Sequence, residues 1–249
     1  MHADAFFTRG QSHRVCQDYA CAGASWALVS DGCSSSLESD WGARLLARAA
    51  AGLLEQRSFS VAFTLEEAQR MQAALRLPPS ALDATLLCAW RDDDVTRVSI
   101  AGDGYVTARR SDGRIECWAV RHEDGAPPYP SYLCNAARLS AYLEQHGSRR
   151  LEHGLLGESF AFEERHLREV PYVIELALPV NDYPLVAVAS DGAASFEGWG
   201  PMRVLEELVS LPSTSGSFVL RRCRRFLREA RAQGIRHHDD LSFAALSLS

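Results

Sequence analysis

Carboxylates recur in this chain of 249 residues at places where a strand end could deliver them to a shared site. Asp18 closes Cys16-Gln17-Asp18, Asp31 and Asp191 each stand in a Ser-Asp-Gly tripeptide, Asp103 follows Ala101-Gly102, and Asp239 opens a doublet with Asp240 behind His237 and His238. An aspartate at a strand end points its carboxylate out of the sheet. The glycine after it lets the backbone turn and brings its own carbonyl close to whatever the carboxylate binds. Converging carboxylates raise one another's pKa values, and a divalent cation removes that conflict. Hard cations with near-octahedral oxygen shells take carboxylates, carbonyls and water rather than sulfur or imidazole.

The elements that would position these residues are short and apolar. Trp26-Ala27-Leu28-Val29 and Leu185-Val186-Ala187-Val188-Ala189 read as buried strands ending in Ser-Asp-Gly, Ser99-Ile100-Ala101 leads to Asp103, and Leu241-Ser242-Phe243-Ala244-Ala245-Leu246 reads as a terminal strand after Asp239. Asp-Gly alone is a common turn dipeptide, and Asp112-Gly113 and Asp124-Gly125 read as ordinary turns. Further strands are expected over 85–90, 95–100, 105–109 and 115–120, separated by polar turns that suit antiparallel pairing. Helices are expected over 39–55, with Trp41, Leu45, Leu46, Leu53 and Leu54 on the apolar face, over 65–75 before Pro78-Pro79, and over 202–210 and 217–232. Arg221, Arg222, Arg224 and Arg225 read as the solvated face of the last helix.

In their order along the chain these motifs resemble the metal-dependent Ser/Thr protein phosphatases, the protein phosphatase 2C family, over nearly the whole length. Gly10-Gln11-Ser12-His13-Arg14-Val15-Cys16-Gln17-Asp18 is similar to the opening motif of a bacterial branch, in which Gly-x-Ser-His leads to Cys-Gln-Asp. Val29-Ser30-Asp31-Gly32 stands for the Asp-Gly-x-Gly region, Asp83-Ala84-Thr85 for a Gly-Thr-Thr-Ala-like strand start, and Gly102-Asp103-Gly104 for Val-Gly-Asp-Ser. Ser190-Asp191-Gly192 matches Ser-Asp-Gly, and Asp239-Asp240-Leu241-Ser242 the closing Asp-Asn-x-Thr.

The resemblance implies an α+β fold, a four-layer αββα sandwich with two central, mainly antiparallel sheets. It implies Mg²⁺ or Mn²⁺, two ions and a looser third, held by Asp31, the Gly32 carbonyl, Asp191 and Asp239, with Asp18 completing the shell and Asp103 helping the third. The implied activity is hydrolysis of phosphoserine and phosphothreonine in proteins. A phosphomonoester dianion repels an anionic nucleophile, and a metal pair about 3.5–4 Å apart supplies both positive charge and an activated water. No covalent phosphoenzyme is then required. A phosphatase-fold binding or regulatory module of weak or absent activity is the alternative. Implied partners are a phosphoprotein substrate and, in bacterial members, a Ser/Thr kinase or a von Willebrand A-type protein.

The chain departs from the family pattern in several places. Arg14 and His13 are both candidates to grip the phosphate, because the familiar arginine lies five positions before the aspartate, where this chain has His13. Cys33 replaces a histidine that serves some members as an acid, and its thiolate is expected to be disfavoured beside the carboxylates. Asp240 replaces an asparagine, with Asp239 the expected ligand of the doublet. His237 and His238 lack zinc-ligand spacing and read as surface or supporting residues. The stretch 121–169 has no clean period and corresponds to a variable flap beside the family's active site, or to an insertion covering a sheet edge.

Composition fits this reading. With 47% hydrophobic and 23% charged residues, the chain can bury a sizeable core, and its evenly spread motifs suggest one domain over 1–249. A net charge of -6 speaks against general nucleic-acid binding, although all basic residues are arginines and local phosphate-gripping patches stay open. An odd count of seven cysteines without Cys-x-x-Cys spacing points to a reducing compartment, with Cys88 and Cys134 expected as buried thiols. No apolar run approaches the ~20 residues that span a bilayer. The expectation is a cytoplasmic, bacterial signalling enzyme, monomeric and with no membrane contact.

Overall fold

The computed structural model describes residues 1–167 and 172–248. Strands β1 (His2–Thr8), β2 (Asp18–Ala22), β3 (Trp26–Asp31), β4 (Leu86–Asp92), β5 (Val95–Ala101) and β6 (Gly104–Arg109) are followed by β7 (Ile115–His122), β8 (Ser148–Leu155) and β9 (Ala161–His166). The last three are β10 (Val173–Pro179), β11 (Leu185–Ala189) and β12 (Leu241–Ser247). They form a seven-stranded sheet, β1-β12-β11-β6-β7-β8-β9, and a five-stranded sheet, β10-β5-β4-β3-β2. Neighbouring strands pair antiparallel.

Helices α1 (Ser39–Glu55) and α2 (Val61–Ala74) cover the smaller sheet, and α4 (Pro201–Val209) and α5 (Phe218–Ala232) cover the larger, leaving α3 (Ala136–Gln145) outside these layers. This is the expected αββα sandwich. Its central strands, such as β3, β11 and β12, are buried on both faces, which is why they read as continuous apolar runs rather than alternating ones. Along β3, Leu28 packs under α1 while Val29 enters the layer between the sheets; along β12, Phe243 faces α5 while Ala244 faces the other sheet. Truncating a fully buried leucine such as Leu28 or Leu46 to alanine costs about 2–5 kcal/mol.

The structure corrects details of the sequence reading. Helix α2 begins at Val61 rather than near 65, because Ser60 accepts a hydrogen bond from Phe63 N at 3.1 Å and caps it. On α1 the small residues Ala43, Ala47 and Ala50 share the buried face with Leu46 and Leu54, whereas Trp41 is 50% exposed. Cys134 is exposed, at the end of a 3₁₀ turn, while Cys88, Cys117 and Cys223 are buried. The stretch 121–169 supplies α3, capped by Asn135, and the two strands β8 and β9 that extend the larger sheet's edge; its residues 168–169 lie outside the described residues. Among the described residues no helix is long and apolar enough to cross a membrane.

Candidate active site

Three carboxyls from two sheets meet where strand ends converge. The register of β2 against β3 sets Asp18 opposite Asp31, at one edge of the smaller sheet. In the larger sheet Ser190 follows β11: its N–H donates to Ser242 O at 3.1 Å, and its hydroxyl accepts from Ser242 N at 3.0 Å. That hydroxyl then donates to Asp18 Oδ2 at 2.7 Å, joining the sheets through a fully buried carboxyl. Asp31 lies within hydrogen-bonding reach of both Asp18 and Asp191.

Such crowding shifts ionisation strongly. Burial pushes Asp18 up to about 7, against the lowering effect of the Ser190 hydrogen bond. Asp31 is held well above the usual carboxylate range by burial and then by the charges of Asp18 and Asp191. Asp103 sits between Gly102 and Gly104, whose φ values of 104° and 130° only glycine adopts readily, so the β5–β6 turn can tuck it inward. Burial, and then the charge of Asp191, raises its pKa well above normal too.

The doublet after the 237–238 histidines divides its labour. Asp240 is buried and accepts from Gly10 N at 2.7 Å and Gln17 N at 2.5 Å, so it holds the ends of the 10–17 loop. Its Oδ2 is also 3.0 Å from His13 Nδ1. Asp239 is 44% exposed on its side chain, and burial and then the nearby charge of Asp191 raise its pKa. Asp239 is therefore the less engaged carboxylate of the two. His238 pairs with Glu197 at 2.9 Å and His237 stacks on Phe196, both away from the cluster's oxygens.

The loop after Asp31 is held by Asp83 and Thr85, which the sequence reading placed on a motif without giving them a role. Thr85 N donates to Asp31 O at 2.8 Å, Asp31 N donates to Thr85 Oγ1 at 3.1 Å, and Cys33 N donates to Asp83 O at 2.8 Å. The Asp83 carboxylate is itself 2% exposed and accepts from Ser36 Oγ at 2.9 Å, Ser131 Oγ at 2.7 Å and Arg138 in bidentate fashion at 3.0 and 2.8 Å. Arg138 belongs to α3, so the variable stretch is bolted to the loop that carries Asp31 and Gly32. The signal available in the sequence was an aspartate standing where the family's motif has a glycine: a buried carboxylate there needs a cationic partner.

The donor set suits a hard divalent cation. Among the described residues Asp18 Oδ1 and Asp191 Oδ1 are buried with no hydrogen-bond partner, an arrangement that costs free energy until something positive meets them. No group of three or more acidic, histidine or cysteine side chains among the described residues is spaced to hold a metal ion as it stands. The carboxyls sit against one another instead, as a proton-sharing cluster does, and a cation entering would replace those protons.

Comparison with known proteins decides the lineage. A family model described as protein phosphatase 2C matches residues 9–233. The chain belongs to the protein phosphatase 2C family. Similar solved structures include the Mycobacterium tuberculosis serine/threonine phosphatase PstP/Ppp, 17% identical over 99% of this chain and 98% of that one with a TM-score of 0.57. The catalytic domain of PstP in complex with 2 manganese ions is 15% identical, covering 98% and 96%, with a TM-score of 0.55. PppA, a key regulatory component of the T6SS in Pseudomonas aeruginosa, is 14% identical over 98% and 96%, with a TM-score of 0.54. No curated protein matches the chain significantly.

Against the protein phosphatase 2C pattern, Cys33 behaves differently from expectation. Burial pushes its pKa up, but hydrogen bonds from Ser35, Tyr129 and Ser36 outweigh burial and hold the thiol below its ordinary value. The hydroxyls gathered by the serine run reverse the sign that the carboxylates alone would impose. Of the two candidate phosphate grips, His13 is half-buried beside Asp240, whereas Arg14 is exposed and engaged through its carbonyl, which accepts from Arg9 Nη1 at 3.0 Å.

Proposed function

We propose that this protein hydrolyses phosphoserine and phosphothreonine in proteins, using Mg²⁺ or Mn²⁺ held by Asp31, the Gly32 carbonyl, Asp191 and Asp239, with Asp18 and Asp103 in support. The observation that carries this reading is the convergence of buried carboxyls from both sheets with two oxygens left unpartnered, in a protein phosphatase 2C chain. When bound, two such ions would supply positive charge to the phosphoryl oxygens and a water of lowered pKa.

The chain's own residues provide the rest. Ser190 and Ser242 keep Asp18 fixed, and Asp83 with Arg138 keeps the 31–36 loop from shifting relative to it. His13, with Nδ1 beside Asp240, has Nε2 left to meet the phosphate or to hand a proton to the leaving serine or threonine oxygen. Arg14, on the exposed loop next to it, is the complementary bidentate grip. The manganese-bound PstP relative supports the choice of metal. Its substrate would be the product of a Ser/Thr kinase.

The test is turnover of an aryl phosphate and of a phosphothreonine peptide by purified protein with Mn²⁺, abolished by a chelator. Asp191→Ala should lower the rate by about 10³-fold, the scale of losing a principal source of transition-state charge stabilisation. Unchanged activity in that variant overturns the metal assignment. Cys33, where other members carry an acid, favours a second reading as a metal-binding regulatory module. Tight Mn²⁺ binding without turnover on either substrate would select it.

A further inference from the structure

Helix α5 carries six arginines, Arg221, Arg222, Arg224, Arg225, Arg228 and Arg231, against the single acidic residue Glu229, in a chain whose net charge is -6. Five of them border a cavity of about 630 Å³ floored by Leu211, Pro212 and Phe218. Its place in the fold separates it from the carboxylate cluster: α5 packs on the outer face of the larger sheet, through Phe218, Cys223 and Phe226. Two of the guanidinium groups are neutralised within the molecule, Arg222 by Glu207 and Arg225 by Glu229. Arg221 donates to the carbonyl of Ser215 at 2.8 Å, and among the described residues no carboxylate contacts Arg221, Arg224 or Arg228.

These three fall at i, i+3 and i+7, on one stripe of the helix. A rise of about 1.5 Å per residue spreads them over roughly 10 Å. Like charges spaced i, i+4, as in Arg224 and Arg228, destabilise a helix, and among the described residues the only acidic side chain on α5, Glu229, is paired with Arg225. The charges lie in a row rather than converging on one point, so they match a string of single negative charges better than one dianion. Carboxylates on alternate residues of an extended segment repeat about every 6.8 Å, a spacing that the long, exposed arginine side chains can span from this row. Phe218, the aromatic of the lining, is 1% exposed, so the groove offers no stacking platform for nucleic-acid bases.

We propose that this groove docks an acidic, Asp/Glu-rich segment of a partner protein, held by Arg221, Arg224 and Arg228. The surface is independent of the carboxylate cluster and works whether or not the protein is catalytically active. It gives an acidic protein one face to which an acidic partner is drawn and steered.

Fluorescence anisotropy on the full chain tests it, using a labelled peptide rich in glutamate and aspartate at low ionic strength. Comparison probes are the Gln/Asn version of that peptide, a neutral peptide bearing one phosphoserine, and a single-stranded oligonucleotide. The acidic peptide should bind, its amide version should not, and added salt should weaken the complex. The variant Arg221→Gln/Arg224→Gln/Arg228→Gln should weaken binding about tenfold, because exposed ion pairs each contribute little and three are lost together. Removing the exposed Arg57 and Arg76 from the other helical layer by R57Q/R76Q should leave binding unchanged, which separates a local site from net charge. Thermal unfolding checks that the triple variant folds; if it does not, Arg224→Gln/Arg228→Gln takes its place and should still weaken binding severalfold. Absence of binding, equal binding by the arginine variants, or tighter binding of the phosphopeptide or oligonucleotide overturns the proposal.

Discussion

Ser30-Asp31-Gly32 and Ser190-Asp191-Gly192 are the same tripeptide after the same kind of strand, yet the fold uses them differently. Ser30 Oγ donates to Thr85 O at 2.6 Å, fastening β3 to the start of its neighbour β4. Ser190 Oγ instead crosses to the other sheet and donates to Asp18 Oδ2. A Cβ on Gly32 would come within 2.6 Å of Ser39 O, whereas one on Gly192 would come within 1.7 Å of Asp240 O. The first copy is thus a loop anchor within one layer. The second is a bridge between layers, with no room beside it. A local motif places an aspartate at a strand end, but its serine and glycine take their work from whatever the other sheet brings.

What the two copies share should give the largest effect. Both press their aspartates toward Asp18, whose carboxyl burial pushes up to about 7 in the folded protein, above its ordinary value of 3.8. Because the folded form holds the proton more tightly, stability is fully present below about pH 4 and falls as pH rises through about 7; Asp31, Asp103 and Asp239 shift in the same direction. Thermal unfolding in chelator should therefore show a loss on the order of several kcal/mol over that window. Saturating Mn²⁺ should flatten the profile, since a cation takes the place of the protons. A flat profile without metal would mean that the carboxyls are not crowded.

The glycines should separate the copies. Gly192→Ala drives a methyl into a backbone carbonyl and is expected to cost about 3 kcal/mol, at the upper end for overpacking, while Gly32→Ala should cost nearer 1 kcal/mol. Urea unfolding of the two variants measures both, and equal costs would erase the distinction between bridge and anchor. The serines follow with a smaller difference. Ser190→Ala deprives a buried carboxyl of its donor and should cost about 2 kcal/mol, against about 1 kcal/mol for Ser30→Ala, whose lost partner is a carbonyl. The same pair measured with Mn²⁺ should converge if the cation takes over the freed Asp18 oxygen.

Much of the scaffold was legible before any coordinates. Helix α1 runs over 39–55 as expected, and the runs ending at Asp31 and Asp191 and following Asp239 are strands, because each is apolar and bounded by turn residues. Edge strands were harder. In β9 every residue from Ala161 to His166 is exposed, so no buried face imprints a period on the sequence. The clamp between Asp83 and Arg138 was hidden because its partners lie 55 residues apart and only Asp83 stands in a motif, so nothing local named its partner. Cys33 shows the opposite failure: its position was legible, but the thiol is lowered by hydrogen bonds from Ser35, Tyr129 and Ser36, and Tyr129 comes from far along the chain.

By itself the sequence determined which residues could be metal ligands and that they sit at strand ends, since strand formation and Asp-Gly turns are local consequences of apolar runs and glycine. Only the tertiary structure decided which of their oxygens are left unpartnered among the described residues, which member of the Asp239–Asp240 doublet is tied to the 10–17 loop, and which arginines of α5 are paired with a carboxylate. The physical reason is that burial and hydrogen-bond pairing are set by groups distant in the chain, as when Ser190 reaches Asp18 across 172 positions.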